Sequence, residues 1–136
     1  YIYIYIYIYM ICLYQIFYST CFFLATPQDL KAPSPVNGVR GKDAVLTCES
    51  FANPVPNVTW INDNMDISSA RFRVDTVLIV GNPKTKLKST LTIGNVTVTD
   101  SGWYTCRFWN YRGSIEDSIE LQIVDGNSIY PVSNYL

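Results

Sequence analysis

Residues 100–106 read Asp-Ser-Gly-Trp-Tyr-Thr-Cys, and the pattern that starts there decides the fold class. Over residues 103–109, Tyr104, Cys106 and Phe108 fall on one side of an extended chain. Trp103, Thr105, Arg107 and Trp109 fall on the other. A period of two belongs to a β-strand with one buried face. Outward from this stretch the same pattern recurs. Ala44, Leu46 and Cys48 alternate with Val45 and Thr47, after the turn residues Asn37-Gly38 and Gly41. Val58 and Trp60 alternate within 57–62, after Asn53-Pro54-Val55-Pro56. Leu91 and Ile93 alternate within 89–93, and Ile119, Leu121 and Ile123 within 118–124. No stretch keeps apolar residues at helical spacing for three turns. Short one-faced strands separated by turn residues predict an all-β sandwich or barrel. Two sheets packed face to face bury every apolar face at once.

The strands lie in residues 33–124, and before them the composition changes. Of the 136 residues, 49% are hydrophobic and 15% aromatic. Residues 1–26 hold 22 apolar residues and 10 of the 20 aromatics, and the first charged residue is Asp29. The other 110 residues hold 44 of the 66 apolar residues, or 40%, and all 21 charges, an ordinary soluble composition. Residues 1–9, YIYIYIYIY, alternate but offer no polar face. An alternating TA repeat in DNA, read in one frame, encodes Tyr and Ile, so translated repeat DNA is the expectation there. Such a segment, if made, is an aggregation hazard. Met10 is then the expected start, and 11–25 is an apolar run of signal-peptide length rather than membrane-span length. Ser19 and Cys21 fit a cleavage site that makes Phe22 the first mature residue, with cleavage near Ala25 as the alternative. No Lys or Arg precedes the run, and 1–25 taken together is long enough for an anchor. Signal, artefact and anchor all stay open. Residues 27–32 read as a linker, 33–124 as the domain, and 125–136 as a C-terminal linker or tail, consistent with a fragment of a multidomain receptor.

Composition excludes several functions. The chain has no histidine, so imidazole acid/base chemistry, Ser-His or Cys-His nucleophile pairs and His-ligated zinc are impossible within it. Ten basic residues balance eleven acidic ones without a run of either sign, so no nucleic-acid surface is expected. There is no CxxC spacing, no Gly-rich phosphate loop and no cluster of carboxylates at catalytic spacing. Asp63 and Asp66 beside Asn62 and Asn64 lack EF-hand spacing and read as a turn between strands. The expectation is a chain that is not an enzyme and binds no metal or cofactor. Lys84, Lys86 and Lys88 share one strand face; polyanion binding is one reading, and a Lys-guarded strand edge is favoured over it.

Cys48, Trp60 and Cys106, with Asp100, Gly102 and Tyr104 leading into the second cysteine, resemble the immunoglobulin superfamily over residues 33–124, nearest to its intermediate (I-set) type. The resemblance implies a two-sheet Greek-key immunoglobulin-like sandwich with an inter-sheet disulfide between Cys48 and Cys106. It implies Trp60 packed on that bridge, and Tyr104 as a tyrosine corner whose hydroxyl bonds backbone upstream. Asp100 is expected to pair with Arg71, with Arg73 as the other candidate. Strand D is expected over 71–76, with 77–80 either its extension or a hairpin. Val96 is expected to plug the lower end of the core.

Function is sought outside that frame. Asn57-Val58-Thr59 and Asn95-Val96-Thr97 are glycosylation sequons and candidate modified sites. The outward residues Trp103, Arg107 and Trp109, with Ile61 on the neighbouring strand and Tyr111 and Arg112 in the following loop, are interface residue types and form the candidate binding face. The alternative for Trp109 is packing under a neighbouring loop or under the Asn57 glycan at the same pole. The resemblance implies an extracellular recognition module, secreted or at the cell surface. It implies adhesion or receptor work with a protein ligand, with neighbouring immunoglobulin- or fibronectin-like domains, or with its own kind. Membrane contact is expected only through an anchor. The alternatives are a structural spacer of a muscle-type intracellular array and a secreted immune-recognition protein. The leader, the sequons and the cysteine pair weigh against the spacer.

Overall fold

The computed structural model describes residues 25–81 and 85–126. These form eight strands and one short helical turn: β1 Ala25–Lys31, β2 Val36–Val39, β3 Ala44–Asn53, β4 Asn57–Ile61, β5 Phe72–Ile79, β6 Lys86–Ile93, the turn Val98–Asp100, β7 Gly102–Asn110 and β8 Gly113–Val124. They make two four-stranded sheets, ordered β1-β3-β6-β5 and β2-β8-β7-β4. All neighbours are antiparallel except β2 and β8, which run parallel. The chain crosses between the sheets at each step from β1 to β5 and again after β6, while β5–β6 and β7–β8 pair within one sheet; this is the Greek-key form of a sandwich.

Alternation explains most of the elements. In β3 and β6 every second side chain is buried, and β7 buries Tyr104, Cys106 and Phe108 completely. Leu46, Leu91, Ile93 and Ile119 complete the middle of the core, and Val96 closes its lower end. Each large apolar side chain buried this way contributes about 1.5–3 kcal/mol. Cys48 and Cys106 join the two sheets at the centre, with a Cα–Cα distance of 6.5 Å.

Two readings depart from the sequence expectation. Residues 27–32, expected to be a linker, lie mostly within β1, so the sandwich begins before Pro33. β1 pairs with β3 through two register shifts, and Asp29 sits at φ 53°. Such a strand is held by backbone bonds and by the Ser50 hydroxyl, which donates to the Gln28 carbonyl at 2.9 Å. It shows no apolar alternation to read.

In β5 the structure takes one of the two readings left open for 77–80. β5 is one regular strand through Ile79, paired with β6 over eight consecutive residues, so 77–79 extend strand D. It is an outer strand of its sheet, and β4 is an outer strand of the other. Residues 62–71 between them are turns, and no strand lies outside β4 among the described residues. Val74 and Leu78 share the inward side of β5 yet stay exposed, as Val77 and Ile79 do on the outward side.

The second departure concerns the lysines. Lys86 and Lys88 lie on β6, an interior strand, so they guard no edge. Lys86 instead pairs with Glu49 at 3.1 Å. Lys84, residues 1–24 with their signal, anchor and cleavage-site readings, and residues 127–136 lie outside the described residues.

Candidate functional site

Strand β7 supplies both the central pin of the sandwich and its exposed outer face. Gly102 opens the strand at φ 146°, a conformation that side chains strongly disfavour. Tyr104 follows, fully buried, and its hydroxyl donates to the Asp100 carbonyl at 2.9 Å. That is the tyrosine-corner bond. Burial, helped by the nearby Asp100 charge, pushes the Tyr104 phenol up to about 12.

Asp100 is buried at the end of the Val98–Asp100 turn. Its Oδ2 accepts from the Arg71 guanidinium at 2.7 Å and from the Thr97 N–H at 2.8 Å. Burial alone would raise its carboxyl; the Arg71 bond and the Thr97 bonds outweigh it and hold the group below the usual carboxylate range. Its Oδ1 has no hydrogen-bond partner among the described residues. Arg73, the other candidate, binds Asp75 at 2.9 Å.

Trp60 stands opposite Cys106 in the β4–β7 register. Its indole N–H donates to the Ser89 hydroxyl at 2.9 Å, and Ser89 stands opposite Cys48 on the other sheet. Sequence reading missed Ser89. The available signal was a small hydroxyl at an inward position between Leu87 and Leu91, together with the need of any buried indole for an acceptor. The inward side of β7 is therefore a buried structural unit closed by the Cys48–Cys106 bridge.

The outward side is open. Register puts three rungs across β4, β7 and β8: Asn57–Trp109–Ser114, Thr59–Arg107–Glu116 and Ile61–Thr105–Ser118. Trp103, one rung lower, faces Glu120, and the Asn62 amide donates to its carbonyl at 3.1 Å. Trp103 is 60% exposed, Trp109 44%, Ile61 39% and Tyr111 69%. Arg107 and Arg112 are exposed as well. Trp103, Arg107, Trp109 and Ile61 thus share one sheet face. Tyr111 and Arg112 form the turn at its upper end, where the Arg112 N–H donates to the Asn110 side chain at 2.9 Å.

The two sequons part company. Asn57 begins β4 on this same face. Asn95 lies at the opposite pole, between β6 and the Val98–Asp100 turn, at φ 49°. Its N–H is fixed by the Asp43 carboxylate at 3.1 Å.

Chemically, the outer face offers exposed aromatic area, two guanidinium groups and hydrogen-bonding hydroxyls on a rigid sheet. Such a set suits docking of another protein surface. Among the described residues no three His, Cys, Asp or Glu side chains converge on a common point.

Known proteins place this geometry. A family model described as the immunoglobulin domain matches residues 27–110. The netrin receptor DCC of Homo sapiens is 36% identical over 95 residues, 70% of this chain and 6% of the receptor. The fibroblast growth factor receptor-like 1 of Gallus gallus is 30% identical over 92 residues, 68% of this chain and 17% of the relative. The chain thus spans a small part of these relatives. Among solved structures, an I-band fragment of titin matches 76% of this chain and 34% of its own, with TM-score 0.60 and 28% identity. The Dpr2–DIP-Theta complex matches in fold, with TM-score 0.64 and 24% identity over 74% of this chain and 33% of its own. With its two sheets, its Cys48–Cys106 bridge and the match over residues 27–110, the chain belongs to the immunoglobulin superfamily.

Proposed function

We propose that this chain is a non-catalytic extracellular recognition module that binds a protein partner through the outer face of β4, β7 and β8. The observation that carries the reading is the exposure of two tryptophans and two arginines on and beside one rigid strand, β7, whose other side is locked into the core. Exposed Trp, Tyr and Arg on a flat sheet are the residue types that supply most binding energy at protein interfaces. The buried Cys48–Cys106 bridge favours an oxidising compartment. Two relatives at 30% identity or more are named as receptor and receptor-like, which supports the receptor class.

The test is a binding screen with the full chain, secreted behind an added signal sequence and presented on multivalent beads. The targets are extracellular immunoglobulin-like and fibronectin-like domains, and the chain itself. A partner is expected whose affinity falls at least tenfold with Trp103→Ala and with Arg107→Glu, both variants keeping native thermal stability. Binding that neither substitution changes overturns the assignment of the face.

The titin match favours a second reading, a structural spacer within an intracellular array. Thiol labelling of the native protein in its own cells separates the two. Reduced Cys48 and Cys106 support the spacer, and an intact bridge supports the extracellular module.

A further inference from the structure

Asn57 and Trp109 stand directly opposite each other on β4 and β7, and both point to the outer face. Opposed side chains in an antiparallel pair have Cβ atoms about 4.5–5.5 Å apart. β4 is an outer strand of its sheet, so Asn57 is approached freely from the side as well as from above. Thr59, the hydroxyl residue of the sequon, lies two positions along on the same exposed face. On the far side of Trp109 stands Ser114, a small neighbour that leaves the indole open.

Asparagine is a poor strand residue. The Asn57 side chain makes no hydrogen bond among the described residues that would account for it. Asn95 differs. It occupies a left-handed backbone position, which asparagine tolerates better than other residues with side chains, so the fold itself accounts for it. One sequon thus has a structural reason and the other has none.

We infer that Asn57 is an N-glycosylation site whose first sugars rest on the indole of Trp109. The inference builds on the extracellular reading above and deepens it. An N-acetylglucosamine linked to Asn57 starts one side chain away from Trp109. Its apolar C–H face meets the electron-rich ring face, the same electrostatics that draws cations to indoles. The glycan then occupies the upper end of the outer face, beside Tyr111 and Arg112. Trp103 lies six residues further along β7, about 20 Å away at ~3.3 Å per residue. The open docking area is therefore the Trp103–Arg107 end, and Trp109 belongs to the glycan rather than to the protein partner.

The test secretes the full chain from animal cells behind an added signal sequence, so that it does not depend on the native leader. Peptide mass spectrometry after enzymatic glycan release is expected to find Asn57 occupied in most molecules, and unoccupied in Asn57→Gln and Thr59→Ala. Nuclear Overhauser contacts are expected between the Trp109 ring and the first sugar. Acrylamide quenching of tryptophan fluorescence is expected to rise in both sequon variants, and enzymatic deglycosylation of the wild type is expected to do the same. An unmodified Asn57 in secreted, disulfide-bonded protein overturns the site. Occupancy without ring contacts or a quenching change overturns the stacking. Reduced cysteines in the native cells overturn the extracellular reading instead, and leave the secreted-protein result standing as a measure of the site.

Discussion

Strand β7 has two sides with opposite economies. Inward, Tyr104, Cys106 and Phe108 are wholly buried, and the groups bound around them, Asp100, Cys48 and Trp60, are enclosed as well. Outward, Trp103, Arg107 and Trp109 share the same backbone and stand in solvent. On the inward side the Tyr104 hydroxyl, the Trp60 indole N–H and Asp100 Oδ2 each have a particular partner, so a substitution there acts on stability. On the outward side the large side chains contribute little to folding, so a substitution there acts on what the domain meets. Four outcomes would sharpen or break this contrast.

The largest effect belongs to the bridge. Cys48 and Cys106 are 58 residues apart, and closing a loop of that size removes denatured-state entropy worth about 4 kcal/mol. A Cys48→Ala, Cys106→Ala variant is expected to lose about that much in denaturant unfolding. A loss below about 1 kcal/mol would show that packing alone holds the two sheets together.

Next comes the Arg71–Asp100 pair, half-exposed on the arginine side and buried on the aspartate side. Asp100→Ala removes the acceptor of the Thr97 N–H and of Arg71, and about 2 kcal/mol of stability is expected to go with it. The pair also sets an acid dependence. The carboxyl is held below its unfolded value, so its contribution is complete above about pH 4 and fades as pH falls through the folded value. Acid unfolding of Asp100→Ala is expected to be shallower than that of the wild type. Equal slopes would mean that other carboxylates carry the acid transition.

Tyr104→Phe deletes one hydrogen bond to the Asp100 carbonyl and is expected to cost about 1 kcal/mol. Its pH dependence has the opposite sign. The phenol is pushed up to about 12 against an unfolded value near 10, so its contribution holds below pH 10 and is lost as pH rises toward 12. Phenolate absorbance during alkaline unfolding follows this directly. Titration of Tyr104 with the exposed tyrosines, before unfolding, would break the claim.

The inward side was legible in sequence because burial imposes a period. The alternation of β3, β4, β6, β7 and β8 is the trace of one covered face, and the spacing of Cys48, Trp60 and Cys106 carries the family resemblance. Where no face is covered, the trace disappears. β1 is bulged and bound through its backbone, so its residues read as linker. β5 is apolar on both sides over residues 77–79, yet among the described residues it stays exposed throughout beyond Phe72. Ser89 was missed because its partner, Trp60, lies 29 residues away on the other sheet. On the outer face the parity of Trp103, Arg107 and Trp109 was readable. The rung that sets Asn57 against Trp109 was not, because register between strands depends on the intervening turn and not on spacing within either strand.

Trp103→Ala is the smallest change in stability and the most direct probe of the outward side. The side chain is mostly in solvent, and the Asn62 amide binds the Trp103 carbonyl, which the substitution keeps. A shift within about 0.5 kcal/mol is therefore expected in thermal or denaturant unfolding. The same substitution removes the largest exposed ring at the glycan-free end of the face. A partner docking there loses at least tenfold in affinity, which corresponds to about 1.4 kcal/mol. The two numbers must separate for the contrast to hold. A stability loss above about 2 kcal/mol would put Trp103 with the core despite its exposure. It would also return recognition to the Trp109 end of the strand, where a glycan on Asn57 would stand in the partner's way.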